Sequence, residues 1–470
     1  MHEPKSHDAV IIVPGIMGSA LIDTRSGRQI WGLDDPRWYL QTWTRRNGLS
    51  PLYLTPEEVA GSYGRVKASG LLRFPAISPR LGGFEPYHDL LETVYGEVLH
   101  PDAVLEYAYD WRLPVAYHAR RFADAAHEHL RRWRRHAAHP SGSRLRAEDA
   151  IKLVVIAHSM GGLVVQEACA LGLEEFDLAA EIRWTVTLGA PFYGSLKTAL
   201  LLAEGADAPL HLPKAKAQRL AVGLPAVYDL LPIYRCVDEQ ETARPLSKDD
   251  AEVLQCHAGE LDRASKGRRA AVGTPIPGHL QVVGTHQQTL QSLTLEAGRF
   301  VAHRYTVKPD GYGGLVRLDL SGDATVSTDA AVLPGTREMP VVQSHGGLPR
   351  AREVGEIVGH VLRHGLEGER FPPWLGEGGP GVESPDVVTA GEVFEVGIEG
   401  IERRSDAQCR ITNLYRNQPV GRVDVTRDGS AFVVRTTLEE PGFYRIEVAA
   451  GGSSPVAQHI LVTDGAQADG

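Results

Sequence analysis

One serine in the middle of the chain stands in a context typical of a nucleophile. Ser159 follows the β-branched run Val155-Ile156 and precedes a glycine pair and a helix-like stretch at residues 163–173. A strand, a sharp turn and a helix in this order lift a serine hydroxyl clear of the edge of a sheet. Ala157 stands where the motif usually has its first glycine, and a methyl group still permits strand and helix to approach closely. The chemistry indicated is nucleophilic attack, and the alternative is an unrelated serine before a glycine turn.

A serine nucleophile needs a general base, and the base needs a third group that fixes its tautomer. In proteins with this strand–turn–helix motif, the acid and then the histidine follow the serine along the chain. Asp323 comes after a strand-like run at 317–320 and a glycine turn, so it is the predicted acid. A carboxylate that only bonds its own turn is the alternative. Three other aspartates compete for the role: Asp310, Asp319 and Asp329.

The predicted base is His345, which follows the apolar run at 340–342 and stands on a glycine-rich loop. His158 is adjacent to the nucleophile but is expected to face the wrong way along the turn. Two further histidines, His360 and His364, fall in the helical pattern that follows, where a histidine is usually a surface residue. The sequence therefore predicts a serine–histidine–aspartate triad that works through a covalent acyl-enzyme.

Attack on an acyl carbonyl creates an oxyanion, which two backbone N–H groups usually stabilise. One predicted donor is Met160, directly after the nucleophile. The other is Ile16, in the glycine-rich bend at 13–19 that ends the first predicted strand. A plain β-turn is the alternative interpretation of this bend.

The composition narrows the classes of function. A chain of 470 residues is too long for one ordinary core, and its net charge of −10 argues against nucleic acid and against general attraction to anionic membranes. The first eight residues are polar, and no apolar window reaches the roughly 18 residues of a membrane-spanning helix. We therefore expect no signal peptide and favour the cytoplasm; peripheral membrane contact is the alternative. Four widely spaced cysteines form no metal pattern and predict free thiols: Cys169, Cys236, Cys256 and Cys409. We expect neither a metal nor a cofactor.

Short apolar runs alternate with helical patterns over most of the chain, which predicts an α/β domain with a largely parallel sheet. The predicted strands lie at 9–13, 104–109, 152–156, 183–188 and 280–284. The clearest helix, at 117–136, carries arginines on the face opposite its apolar stripe. We interpret this face as solvated, with a partner site as the alternative.

The pattern changes near residue 367. Residues 367–385 are rich in glycine and proline, and we predict that they link a catalytic domain at 1–366 to a second module at 386–470. Alternating segments predict that the second module is a small immunoglobulin-like β-sandwich; they lie at 392–396, 420–425, 431–436, 444–448 and 459–462. The module has no convergent catalytic residues, so we expect it to serve structure, self-assembly or a protein partner.

Several segments together resemble the lecithin:cholesterol acyltransferase family, which includes lysosomal-type phospholipases A. They are VPGIMGS at 13–19, IWG at 30–32, YDWRL at 109–113, AHSMGG at 157–162, LGAPFYGS at 188–195, LPAVYDLLP at 224–232 and GDATV at 322–326. The resemblance covers residues 8–365 and implies an α/β-hydrolase fold with a cap at about 195–277 over an acyl-binding cleft. It assigns Ser159, Asp323 and His345 to the triad and Ile16 and Met160 to the oxyanion site.

The resemblance implies a substrate with an ester-linked lipid acyl chain, cleaved by water as in a phospholipase A or a lipase. Transfer of the chain to an alcohol is the nearest alternative, followed by an esterase acting on lipid-anchored proteins and by a scaffold without catalysis. Trp38, Trp43 and Tyr193 are candidate substrate contacts, since Trp and Tyr favour the membrane–water boundary. Residues 1–168 lack the cysteines that close a lipid-contacting loop in secreted members, so no lipoprotein or lysosomal setting is implied.

Overall fold

The computed structural model describes residues 5–32, 48–72, 87–138, 151–172, 176–205, 214–366 and 379–464, apart from 386, 415, 417, 422, 430 and 452–453. Two of the predicted substrate contacts, Trp38 and Trp43, lie outside the described residues. So does most of the predicted linker at 367–385.

Strands and helices alternate along most of the chain up to residue 366. The strands are β1 (Ala9–Val13), β2 (Ser19–Asp23), β3 (Gln29–Trp31), β4 (Val66–Leu71), β5 (Val104–Glu106), β6 (Leu153–His158), β7 (Ile182–Leu188), β8 (Val237–Asp238), β9 (Ala243–Arg244), β10 (His279–Thr285), β11 (Ser292–Glu296), β12 (Arg299–His303), β13 (Thr306–Pro309), β14 (Leu315–Leu318) and β15 (Arg337–Val342). The α-helices are α1 (Pro56–Val59), α2 (His88–Glu97), α3 (Val115–Arg134), α4 (Met160–Ala170), α5 (Leu178–Glu181), α6 (Leu196–Glu204), α7 (Lys214–Val222), α8 (Pro225–Asp229), α9 (Ala258–Ala271), α10 (Thr328–Ala331) and α11 (Arg352–His364).

Six of these strands form one sheet that organises the domain. Their order is β15-β10-β7-β6-β1-β5, and every neighbouring pair runs parallel. All residues of β1 and β6 are buried, as expected for parallel strands covered on both faces. The prediction of an α/β fold with a largely parallel sheet is confirmed. Because the carboxyl ends of parallel strands share one edge, loops far apart in sequence meet there.

The predicted elements of this domain differ from the observed ones mainly at their ends. Each of the five predicted strands agrees with an observed strand to within three residues, and α3 begins and ends two residues before the predicted helix. Two antiparallel hairpins, β11–β12 and β13–β14, are inserted between β10 and β15. In the described part of the chain, no helix combines the length and apolar character needed to cross a bilayer.

The residues after 380 form two sheets that share a core. Their strands are β16 (Gly381–Glu383), β17 (Val387–Thr389), β18 (Val393–Glu399), β19 (Ala407–Asn413), β20 (Gln418–Pro419), β21 (Thr426–Asp428), β22 (Ala431–Thr437), β23 (Gly442–Ala450) and β24 (Val456–Thr463). One sheet has the order β16-β18-β22-β21 and the other the order β17-β24-β23-β19-β20. Val396 and Val434 from the first sheet pack in one cluster with Ile411, Ile446 and Ile460 from the second. The predicted immunoglobulin-like sandwich is therefore confirmed as a fold class.

Two details of the sandwich differ from the prediction. No regular strand forms at 420–425: Gly421 has a positive φ of 58°, and of the described residues there only Val423 makes a bridge, to Cys409. A residue with positive φ turns the chain out of the extended conformation, so the alternating pattern at this place does not produce a ladder. At the other end of the module, strand β16 lies inside the range predicted as linker.

A buried ion network lies beneath the N-terminal part of the domain. Arg112 is fully buried and donates to Asp110 at 2.9 and 2.7 Å and to Glu58 at 3.0 Å. Arg65 donates to the other carboxylate oxygen of Glu58 at 3.0 Å. The YDWRL segment therefore fixes helix α1, and each buried charge has a partner of opposite sign.

Removing the central charge of this network should destabilise the fold. Arg112→Met is expected to lower the free energy of unfolding by about 3–5 kcal/mol, because Asp110 would stay buried without its partner and Glu58 would keep only Arg65. Urea unfolding measures the change. Arg131→Met is the matched control: Arg131 pairs with Glu128 at 2.6 Å with both side chains about half exposed, and such surface pairs contribute little to stability. Equal losses in the two variants would contradict the assignment.

Candidate active site

Ser159 occupies a sharp turn at the carboxyl end of the central strand β6. Its φ of 53° and ψ of −126° are unfavourable for a residue with a side chain, and helix α4 begins at the next residue. The turn is held by Ser159 N–H, which donates to Leu188 O at 2.9 Å. A Cβ on Gly161 would lie 2.7 Å from the carbonyl oxygens of Val13 and Pro14, so glycine is required where the helix starts against β1. Strand, turn and helix follow one another as the sequence predicts.

The three side chains predicted to form a triad lie in one hydrogen-bonded row. His345 Nε2 is 2.8 Å from Ser159 Oγ, and His345 Nδ1 is 2.7 Å from Asp323 Oδ2. His345 follows β15 and Asp323 lies in the connection between β10 and β15, so both loops belong to the sheet edge that carries the serine. Ser159 and Asp323 are buried, whereas the imidazole of His345 is 15% exposed.

The loop around Asp323 is built to present one carboxylate oxygen to the histidine. Asp323 Oδ1 accepts the backbone N–H groups of Thr325 and Val326 at 2.9 and 2.6 Å. Asp323 N–H donates in turn to Val326 O at 3.1 Å, which closes the turn. The remaining oxygen faces His345, whose own N–H donates to Asp323 O at 2.8 Å. The GDATV segment is therefore a turn that orients the acid.

The competing aspartates are engaged elsewhere. Asp310 accepts two backbone N–H groups in the turn of the β13–β14 hairpin, and Asp319 accepts the side chain of Gln291 at 2.7 Å. Asp329 forms an ion pair with Lys308 at 2.8 Å. None of these contacts reaches the imidazole of His345, which favours Asp323 on geometry.

His158 has a role that the sequence did not reveal. Its Nδ1 accepts the hydroxyl of Tyr87 at 2.9 Å, which leaves Nε2 to donate to His345 O at 3.1 Å. The Tyr87 hydroxyl also accepts Gly15 N–H at 2.8 Å. Burial, with the neighbouring His345, lowers the pKa of His158 to about 3, so the ring stays neutral. One chain of hydrogen bonds thus joins the Gly15 loop to the loop of the imidazole.

The bend after β1 lies directly beside the serine. A Cβ on Gly15 would be 2.8 Å from Ser159 Cβ, so the backbone of the bend approaches the nucleophile as closely as glycine allows. Side chains of the YDWRL segment hold both ends of this bend: Tyr109 O–H donates to Pro14 O at 2.8 Å and Trp111 Nε1–H to Ser19 O at 3.1 Å. The predicted oxyanion donors, Ile16 in the bend and Met160 at the start of α4, therefore flank Ser159; their role stays a prediction.

The segment predicted to form a cap contains helices α6 to α9 between β7 and β10. Its beginning is tied to the acid loop, because Ser195 Oγ donates to Thr325 O. Its last helix is anchored on α4: the buried Arg268 donates to Glu167 at 2.9 Å and to Gln166 at 3.1 Å. Tyr193, the predicted substrate contact within the described residues, is partly buried and packs against a small apolar cluster that includes Val326. Its contact with a substrate stays a prediction.

A group of potential metal ligands lies at the opposite edge of the sheet, where β5 begins. Ligand atoms of His100, Asp102 and His136 lie within 4.8 Å of one another. His100 Nδ1 accepts the N–H of Asp102 at 3.1 Å, and His136 Nδ1 accepts the N–H of Ala138 at 3.2 Å. In a neutral imidazole the other nitrogen then carries the proton, so neither ring offers a lone pair to a cation while these bonds persist.

Buried histidines should make the fold sensitive to mild acid. Burial lowers the pKa of His279 to about 3, whereas an unfolded histidine titrates at about 6.5. Between these values the unfolded chain binds a proton that the folded chain does not, so stability falls as the pH falls. We expect His279→Leu to flatten the decline of unfolding free energy between pH 6.5 and 5 by about 1 kcal/mol per pH unit. Urea unfolding across this range measures the slope, and equal slopes for both proteins would contradict the prediction.

Part of the chain is similar to a family of known proteins. Residues 78–258 match the model of the family described as lecithin:cholesterol acyltransferase, a region that contains Ser159 and precedes the acid and the base. None of the curated proteins is similar enough in sequence to match the chain.

Several solved structures share parts of the architecture. The crystal structure of the Tle4–Tli4 complex has 15% sequence identity and a TM-score of 0.45, covering 72% of this chain and 92% of that chain. The mature form of Bacillus licheniformis lipase BlEst2 has 12% identity and a TM-score of 0.32, covering 74% and 89%. The M1 domain from titin has 13% identity and a TM-score of 0.13, covering 16% of this chain and 82% of its own. The fold assignment rests on the sheet topology. Residues 78–258, which include Ser159, are similar to the lecithin:cholesterol acyltransferase family.

Proposed function

We propose that the protein is a serine-dependent acyl hydrolase that cleaves lipid esters through an acyl-enzyme, as a phospholipase A or lipase does. The observation that carries the proposal is the hydrogen-bonded row from Asp323 through His345 to Ser159 at the edge of a parallel sheet. A serine in such a row can transfer its proton as it attacks, which an isolated hydroxyl cannot do at neutral pH.

In the acylation step, Ser159 Oγ attacks the ester carbonyl while His345 Nε2 takes its proton. Asp323 accepts a hydrogen bond from the Nδ1–H of His345, which keeps Nε2 free as the base and stabilises the imidazolium that forms. The imidazolium then protonates the departing alcohol, and the acyl chain remains on Ser159. A water molecule, activated by the same imidazole, releases the chain as a carboxylic acid.

The oxyanion of the tetrahedral intermediate would accept the N–H groups of Met160 and Ile16. Met160 is the first residue of α4, and the first N–H groups of a helix have no partner within it. The positive end of the helix dipole adds to the attraction for a developing negative charge. Ile16 follows Gly15, the residue whose backbone lies against Ser159. These placements support both donors.

The choice of a lipid ester rests on the family match. Its description names an enzyme that transfers an acyl chain, and transfer and hydrolysis share the acyl-enzyme and differ only in the acceptor. Water is the acceptor that we propose. Mass spectrometry of the products from mixed-lipid vesicles tests the choice. A free fatty acid with a lysolipid supports hydrolysis. If the vesicles also contain an alcohol and the product is its acyl ester, the reaction is transfer and not hydrolysis.

The triad itself is tested by labelling and by turnover. Ser159→Ala should abolish covalent labelling by a fluorophosphonate, because the nucleophilic oxygen is gone. His345→Ala should slow ester hydrolysis about a thousandfold or more. Ser62→Ala, which removes an exposed hydroxyl, is the control and should label normally. Labelling retained in Ser159→Ala, or near-normal turnover in His345→Ala, would refute the assigned roles.

The Gly15 loop allows a second test in which no residue of the triad is replaced. Gly15→Ala would place a methyl group 2.8 Å from Ser159 Cβ and 3.3 Å from its Oγ, which must displace the serine or the bend. We expect kcat to fall roughly 10- to 100-fold, because displacements of about 1 Å are enough for such losses.

Gly70→Ala is the matched control for this test. A methyl group at Gly70 on β4 meets no atom within 4 Å, so the substitution should leave kcat unchanged. Equal kcat values for wild type and Gly15→Ala would show that the bend does not support catalysis.

A further inference from the structure

The loop that carries His345 is attached to the sandwich. Gln343 is buried, and its Nε2 donates to Pro455 O at 3.0 Å while its Oε1 accepts Ala457 N–H at 3.3 Å. The neighbouring Ser344 donates its hydroxyl to Ala457 O at 2.7 Å. Two residues directly before the imidazole thus bond to the segment where β24 begins.

The loop that carries Asp323 is attached to the sandwich in the same way. Gln287 is fully buried, and its Nε2 donates to Pro380 O at 3.2 Å while its Oε1 accepts Val382 N–H at 3.1 Å. The backbone of Gln287 exchanges two hydrogen bonds with Gly322, at 2.9 and 3.1 Å, directly before the acid. Gln287 therefore bonds the acid loop with its main chain and the sandwich with its side chain.

The two glutamines make one recurring contact. In each case the side-chain Nε2–H donates to a proline carbonyl, and the side-chain oxygen accepts the backbone N–H two residues further along the chain. Both partners lie at the beginning of a sandwich strand. An amide side chain carries one donor group and one acceptor group, so it can pair with a strand edge as a peptide group would.

A reciprocal contact fixes the other end of the histidine loop. Arg352 N–H, at the start of helix α11, donates to Ser454 Oγ at 3.1 Å, and Ser454 N–H donates to Glu353 Oε1 at 2.9 Å. This is the arrangement of a helix N-cap, except that the capping serine comes from the sandwich. The loop from Gln343 to Glu353 is therefore bound to residues 454–457 at both of its ends.

We propose that the sandwich is a positioning component of the catalytic site, and that Gln287 and Gln343 are positioning residues for Asp323 and His345. The inference rests on the proposed function, because it assigns to those two residues the roles of acid and base. It also gives the sandwich a task in catalysis, although the module contributes no residue that touches the reacting atoms. A ligand or partner that displaced the sandwich would misalign the imidazole without contacting it.

The experiment compares three variants of the full-length chain: Gln343→Met, Gln287→Met and Gln281→Met. Methionine keeps the length of glutamine and removes its hydrogen bonds. Gln281 is the matched control, because it is buried and makes the same pair of hydrogen bonds within the catalytic domain. Its Nε2 donates to Leu333 O at 3.4 Å and its Oε1 accepts Leu333 N–H at 2.7 Å. Thermal unfolding confirms that each variant is folded at the assay temperature.

Ester hydrolysis and proton NMR provide the readouts. We expect Gln343→Met and Gln287→Met to lower kcat about tenfold or more with KM within about twofold of wild type, and Gln281→Met to leave both unchanged. The low-field proton signal of the bond between His345 Nδ1 and Asp323 should weaken in the first two variants only. This signal reports the alignment even if the wild type hydrolyses no ester, so failure of the proposed function is distinguishable from failure of the inference.

Two outcomes would overturn the inference. The first is an unchanged signal and unchanged kcat in both Gln343→Met and Gln287→Met while they remain folded. The second is an equal loss in all three variants, since that would reflect general destabilisation of the domain. A Gln343→Glu variant keeps an acceptor for Ala457 N–H but replaces the donor with an oxygen that faces Pro455 O, so its kcat should also fall.

Discussion

The hydrogen bond between His345 Nε2 and Ser159 Oγ joins two loops whose residues are 186 positions apart, and the rest of the site depends on it. The serine is placed by the central strand and by the first turn of α4. The histidine has no such support, because it follows an edge strand of the sheet. Its backbone is held instead by the acid loop, through Asp323 O, and by the neighbouring His158, whose Nε2 donates to its carbonyl. A short bond over so long a separation in sequence requires that each of these supports be rigid.

The buried His158 is an ionisable residue that supports the site through hydrogen bonds while its ring stays neutral. Its ring is satisfied on both sides, by Tyr87 and by the carbonyl of His345, and burial keeps it uncharged. In the proposed mechanism, a second positive charge beside His345 would oppose formation of the imidazolium. The same ring links the bend at Gly15 with the loop of His345, so the side of the site that would hold the oxyanion and the side that would move the proton share one connection.

The parts of this molecule that follow from local patterns could be predicted from sequence. The strand before Ser159, the glycines after it and the apolar runs of the sheet are local signals, and the order of acid and histidine along the chain narrowed the candidates to the residues that meet in the structure. Tyr87, Gln287 and Gln343 could not be found in this way, because buried glutamines and tyrosines are recognised only by partners distant in sequence. The strand predicted at 420–425 was wrong for a related reason. Alternating polar and apolar residues predict an extended segment, but the positive φ at Gly421 depends on the turn around it.

The attachment of the histidine loop to residues 454–457 has a consequence for biosynthesis. Gln343 and its partner Ala457 are 114 positions apart, so the ribosome adds more than a hundred residues after the base before the segment that anchors it exists. Contacts between distant parts of a chain also form slowly, because closing a long loop costs entropy before any bond compensates for it. A nascent chain therefore contains Ser159, Asp323 and His345 well before the segment that anchors the histidine loop has been made. Any activity that depends on their alignment would arise only after the last module has been translated.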